Sequence, residues 1–129
     1  MTTSNLHILL AFSLLSLFSP GRATAQEKHP MVRMARIVID SAQLDSYKAA
    51  LKEGIETAVR VEPGVLTLFA VYEKARPTHV TVLEVYASEE AYHTHLQTPH
   101  FSKYKQITKN MVKSLEIIDV NPISLESKH

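Results

Sequence analysis

Three histidines, three carboxylates and several aromatic side chains fall within one stretch of the chain, from Glu84 to Tyr104. His95 shares a helix face with Ala91, Tyr92 and Leu96, so its imidazole is expected to point inward. An imidazole turned into an apolar pocket tends to stay uncharged and can accept a proton. The plainer alternative is a core histidine hydrogen-bonded to backbone. His100 follows Pro99 in the first turn of a second helix, whose positive end disfavours an imidazolium and again leaves a proton acceptor. Otherwise it is a surface residue at a bend. Glu84 lies mid-strand between Leu83 and Val85, where a carboxylate is costly unless it is paired or faces a wet cavity. Tyr86, two residues on, shares its sheet face. Glu84 could orient a histidine or bond a substrate hydroxyl, or it could pair with Arg33 or Arg36 between copies of the chain. Tyr72, Tyr92, Tyr104, Phe69 and Phe101 could line a flat apolar pocket, or simply fill the core. The chemistry within reach is proton abstraction from a small flat molecule.

Other chemistries find less support. His93 and His95 are two apart on a helix and diverge by about 200°, so they cannot share an ion; no metal ligands are assigned. There is no Gly-rich phosphate loop, no G-x-S-x-G and no cysteine, and no flavin or nicotinamide motif. No cofactor is expected.

These residues need elements to hold them. Val32 to Ile39 reads as a first strand, with Arg33 and Arg36 nearer solvent. Asp40 and Ser41 are good helix caps, and Leu44, Tyr47, Leu51, Ile55, Ala58 and Val61 then recur at spacings of three and four, one apolar stripe of a helix. Glu62-Pro63-Gly64 ends it. Val65 to Tyr72 and His79 to Tyr86 read as two strands joined by a solvated hairpin loop. Ser88 caps the helix carrying His95. Thr98 recaps, and Pro99 takes the first position of the next helix, whose inner stripe is Phe101, Tyr104, Ile107, Thr108 and Met111. Leu115 to Val120 is a last strand. The order is β-α-β-β-α-β, an α+β ferredoxin-like arrangement with its second helix broken at Thr98-Pro99.

Strict alternation in the second strand puts Val65, Phe69 and Val71 on one face and Leu66, Leu68 and Ala70 on the other. Both faces are apolar, so both should be covered. Two helices can cover only one face of a small sheet, and a second copy is expected on the other: a homodimer.

The N-terminus reads differently. Residues 1–25 hold an apolar run from Ile8 to Phe18, too short to span a bilayer, then a Ser-Pro-Gly break and Ala23-Thr24-Ala25, a small-x-small cleavage pattern. The expected organisation is a signal peptide over 1–25, a polar leader over 26–31, one domain over 32–121 and a tail over 122–129; because no Lys or Arg precedes the apolar run, a retained anchor or a start at Met31 is the alternative. Localisation would be periplasmic or secreted, with no membrane association after cleavage. Removing 1–25 takes away Arg22 and no acid, leaving basic and acidic side chains equal in number. That balance argues against nucleic acid or an anionic membrane as a partner. A small exported domain without disulfides must find its stability in burial, and oligomerisation is a common source.

The segment Glu84-x-Tyr86, Glu90-Ala91, His95-Leu96-Gln97-Thr98-Pro99-His100-Phe101 and Tyr104 resembles the antibiotic biosynthesis monooxygenase family, and its small quinol monooxygenase-like members most. Glu62-Pro63-Gly64-Val65 is similar to that family's helix-to-strand turn, and the likeness spans about Val32 to Val120. The resemblance implies a dimeric α+β barrel with a pocket between each sheet and its helices. It also implies oxygenation of a small quinol, phenol or enol by O2 without metal, flavin or haem, which needs a base and a dry pocket. His95 or His100 would serve as base, Glu84, Tyr86 and Tyr72 would orient the substrate, and Tyr92, Phe101 and Tyr104 would line the pocket. Many members carry Trp where this chain has Tyr86. The same fold serves haem-degrading oxygenases, but Lys105 stands where their iron-ligating histidine is expected. It also serves isomerases of small sugar-derived compounds, and a non-catalytic small-molecule-binding dimer is a further alternative.

Overall fold

The structure, a computed structural model, describes residues 29–128. The expected signal peptide lies outside the described residues. Among those described, no helix is long and apolar enough to cross a membrane. Four strands and three helices follow in the anticipated order. They are β1 (Met31–Ile39), α1 (Leu44–Val61), β2 (Val65–Tyr72), β3 (His79–Tyr86), α2 (Glu89–Leu96), α3 (Pro99–Thr108) and β4 (Val112–Val120), with a single 3-10 turn, Ser41–Gln43, before α1.

Local chemistry sets the boundaries. The Asp40 carboxylate accepts from Ala42 N–H and so caps the 3-10 turn rather than α1 itself. Ser88 Oγ accepts from Ala91 N–H, and Thr98 Oγ1 accepts from Phe101 N–H. Each satisfies a donor that the first turn of a helix leaves unpaired. Pro99 stands at the start of α3, where no N–H is needed. α1 ends at Glu62, which adopts extended backbone (φ −105°, ψ 108°) because Pro63 disfavours helical geometry in the residue before it.

The sheet order is β2-β3-β1-β4, with every neighbouring pair antiparallel. Ala35, Ile37 and Ile39 of β1 and Val80 and Val82 of β3 pack with Tyr47 of α1 in the main core. Leu51 and Ile55 of α1 and Tyr104 of α3 close over it. The helices therefore cover one sheet face, and residues i, i+2 along β1 and β3 point into the space beneath them.

Two expectations are corrected. The last strand begins at Val112, three residues before Leu115. The pairing of β2 with β3 shifts between Val65 and Thr67, leaving Leu66 unpaired. This bulge moves Val65 to the helix-side face, where it is buried with Ala58 and Tyr86. Phe69 and Val71 remain on the opposite face, 62% and 48% exposed.

Candidate active site

A cavity of about 130 Å³ lies between the sheet and the helices. It is slightly smaller than an engineered apolar cavity of about 150 Å³ that takes up benzene, which makes it the size of one ring. Arg33 and Ala35 reach it from β1, Val82, Glu84 and Tyr86 from β3, Leu51 and Ile55 from α1, and Ile117 from β4. His95 of α2 and His100, Phe101 and Tyr104 of α3 complete the wall.

His95 is buried, and its Nδ1 lies 2.8 Å from Glu62 Oε1. His100 Nε2 meets the same carboxylate oxygen. An ionised carboxylate only accepts, so each ring donates an N–H to it, and a neutral His95 is thereby fixed with its proton on Nδ1. Its Nε2 is left as an acceptor. That atom has no hydrogen bond to a described residue, and no buried side-chain nitrogen or oxygen lacks a partner, so Nε2 keeps access to open space. The His95 ring is packed by Phe101 and Tyr86, with centroids 5.0 and 5.5 Å away.

The join between α2 and α3 holds both histidines in place. The Thr98 hydroxyl donates to the His95 carbonyl at 2.8 Å while accepting from Phe101 N–H. On the other side, Ala87 N–H donates to the Gly64 carbonyl at 2.9 Å, which ties the turn after Glu62 to the end of β3. A Cβ on Gly64 would stand 2.5 Å from Ala91 Cβ, so only glycine allows this approach to α2.

Glu84 faces the cavity, and the Tyr86 hydroxyl donates to its Oε2 at 3.0 Å. Burial raises the Glu84 carboxyl above its ordinary range, opposed by the Tyr86 hydrogen bond and by the nearby His95 and Arg33. Burial and the adjacent Glu84 charge push the Tyr86 hydroxyl upward as well, so it remains a proton donor. Arg33, opposite Glu84 in the β1–β3 register, binds Asp119 at 2.6 Å and lies 4.4 Å from the Tyr92 ring centroid. Arg36 pairs with Glu116 on the opposite sheet face. Glu84 therefore looks into the cavity of its own chain and not toward an interface partner.

His95, His100, Glu84, Tyr86, Tyr92, Phe101 and Tyr104 are thus brought together. The Tyr104 hydroxyl is shared with Tyr47, 2.9 Å away, and so fixes α3 against α1. Tyr72 does not join them: it is half exposed at the far end of β2, with Lys48 Nζ 3.6 Å from its ring centroid. His93 is exposed and turns toward Glu89, away from His95, as its spacing predicts. Glu62 joins the site although its sequence position marks it only as the end of a helix. The signal was its place before Pro63, which takes it out of the helix while leaving it anchored there.

A four-stranded antiparallel sheet in the order β2-β3-β1-β4, helices on one face and a cavity between, defines the ferredoxin-like α+β class. Within that class, residues 30–107 match the family model described as antibiotic biosynthesis monooxygenase. A solved structure from Bacteroides thetaiotaomicron, assigned to the same group, is 55% identical, with a TM-score of 0.76 over 78% of this chain and 97% of its own. A Lactobacillus acidophilus protein assigned as a monooxygenase is 30% identical, with a TM-score of 0.68 over 72% of this chain and 44% of its own. One from Nitrosomonas europaea, 16% identical with a TM-score of 0.70 over 74% of this chain and 92% of its own, shares the fold. No curated protein matches the chain. The chain belongs to the antibiotic biosynthesis monooxygenase family.

Proposed function

We propose that this chain is an exported, dimeric monooxygenase acting on a small single-ring phenol, quinol or enol, with His95 as the base. One observation carries the reading: His95 bridges the Glu62 carboxylate and an apolar, ring-sized cavity, holding its proton on the carboxylate side. Nε2 takes the substrate's hydroxyl proton, and Glu62 stabilises the imidazolium that results. The anion passes an electron to O2, and recombination forms a C–O bond at the ring carbon. Loss of the C–H proton from that carbon then breaks the O–O bond. One oxygen stays as the new carbonyl, and the other leaves as hydroxide and becomes water. For a phenol the sum is phenol plus O2 giving quinone plus water. Tyr86 and Glu84 line the same wall of the cavity, where the pair can hydrogen-bond the substrate's second oxygen.

The test is oxygen uptake by chelator-treated protein with a panel of phenols and quinols. Uptake should survive chelation and fall by about 10²–10⁴ in His95→Ala, the range for loss of a general base. Activity retained there and lost in His100→Ala would move the base to α3. Product formed equally without O2 would replace oxygenation by isomerisation, and a melting shift without turnover would leave only binding.

A further inference from the structure

We infer that Glu62, His95 and His100 form a binding site for one divalent transition-metal ion of the zinc class, and that the ion switches the base off. Binding itself stands on geometry alone; the switching rests on the function proposed above.

The three residues offer one carboxylate oxygen and two imidazole nitrogens, all within 4.8 Å of one another. Their side chains are only 10%, 9% and 17% exposed, unlike a chance cluster of surface acids. They come from three separate elements: the end of α1, the last turn of α2 and the first turn of α3. Neighbouring donors around a tetrahedral zinc ion, about 2.0–2.1 Å from the metal, lie roughly 3.3–3.4 Å apart. His95 Nδ1 and Glu62 Oε1, 2.8 Å apart, would need to open by only about half an ångström to match it. Two imidazoles and one carboxylate suit zinc or cobalt far better than magnesium or calcium, which seek oxygen. Charge points the same way. Among the described residues, Glu62 is paired with no Lys or Arg, only with the two rings. With both rings neutral a buried negative charge remains, and a divalent cation would offset it, leaving the site with one net positive charge.

The consequence for His95 follows from proton bookkeeping. An ion on Nδ1 displaces the proton from that nitrogen, and a neutral ring must then carry it on Nε2. The atom facing the cavity changes from acceptor to donor, so the base is lost without any redox step.

The experiment uses metal-stripped full-length protein with ZnCl2 and CoCl2 as probes. The expected result is one ion per chain by calorimetry, a raised melting temperature, and the visible absorption of four-coordinate cobalt. Glu62→Gln and His100→Ala should each weaken binding by more than the roughly 10–100-fold that loss of a supporting group costs. His93→Ala should bind as wild type. Should either ligand variant fail to fold, the cobalt spectrum of the wild-type protein decides. Absence of saturable binding at micromolar metal, an octahedral all-oxygen cobalt spectrum, or binding that persists in both ligand variants would overturn the site. Zinc should also abolish oxygen uptake, and EDTA restore it. Unchanged uptake with the ion bound, or uptake that requires the ion, would overturn the switch while leaving the site. Binding without uptake in either state would instead count against the monooxygenase reading.

Discussion

Glu84 is a carboxylate whose surroundings differ from those of a carboxylate in water. Its carboxyl is raised by burial in the folded chain, so the unfolded chain ionises first as pH increases. Below the ordinary value of 4.5 both states are protonated and Glu84 contributes nothing to pH dependence. As pH climbs from there through the raised folded value, ionisation favours the unfolded state and stability is lost; beyond it the loss is constant. Glu84→Gln should therefore gain stability relative to wild type across that window and keep the gain at pH 7. Denaturant midpoints measured from pH 4 to 8 would check this, and parallel curves for the two proteins would mean that Glu84 is no more buried than a surface acid. Activity should move the opposite way, because the amide can donate a hydrogen bond but cannot take up or release a proton as a carboxyl does.

At the scale of elements, the turn between α1 and β2 governs how Glu62 meets α2. Gly64→Ala places a methyl 2.5 Å from Ala91 Cβ, and neither partner is a flexible side chain that could swing aside. Overpacking of this kind costs about 1–3 kcal/mol, and for a domain of this size each kcal/mol lowers Tm by about 4–8 °C. Adding Ala91→Gly should restore most of the loss, and a Gly64→Ala protein that melts like wild type would show that the turn yields freely. The elements themselves were largely legible. β2 and β3 have the bounds expected from Pro63-Gly64 and from the Arg76-Pro77 loop, because proline and glycine punctuate whatever the tertiary context. β4 begins early because Val112 and Ser114 pair with Ile39 and Val38 of β1 around an unpaired Lys113, at an edge where side chains can be polar. The Leu66 bulge has no glycine to announce it. Half of the candidate site was readable, since His95 and His100 share one short segment. Their carboxylate lies 33 and 38 positions away, and no periodicity connects residues across such a separation.

For the whole molecule, the helix-free sheet face decides the expected assembly. Phe69 and Val71 stand exposed there, in the strand whose apolar faces argued for a second copy. The mature protein should sediment as a dimer at micromolar concentration, and Phe69→Glu should drive it to monomer. A stable wild-type monomer would remove the case for a closed barrel. Expressed with its own N-terminus in a Gram-negative host, the chain should be recovered from the periplasm beginning near Gln26. Intact protein confined to the cytosol would count against export.

β2 has one more property. It is an edge strand of eight residues, Val65-Leu-Thr-Leu-Phe-Ala-Val-Tyr72, without a single charge or proline, whereas the opposite edge, β4, carries Lys113, Glu116 and Asp119. Charged edges discourage pairing with strangers, and uncharged β-prone segments invite it. A solitary copy is therefore a template for fibrous aggregation, most exposed while the chain is dilute and newly folded. A second copy covering β2 would therefore protect the protein's solubility, and selection on this strand would act through that as well as through assembly.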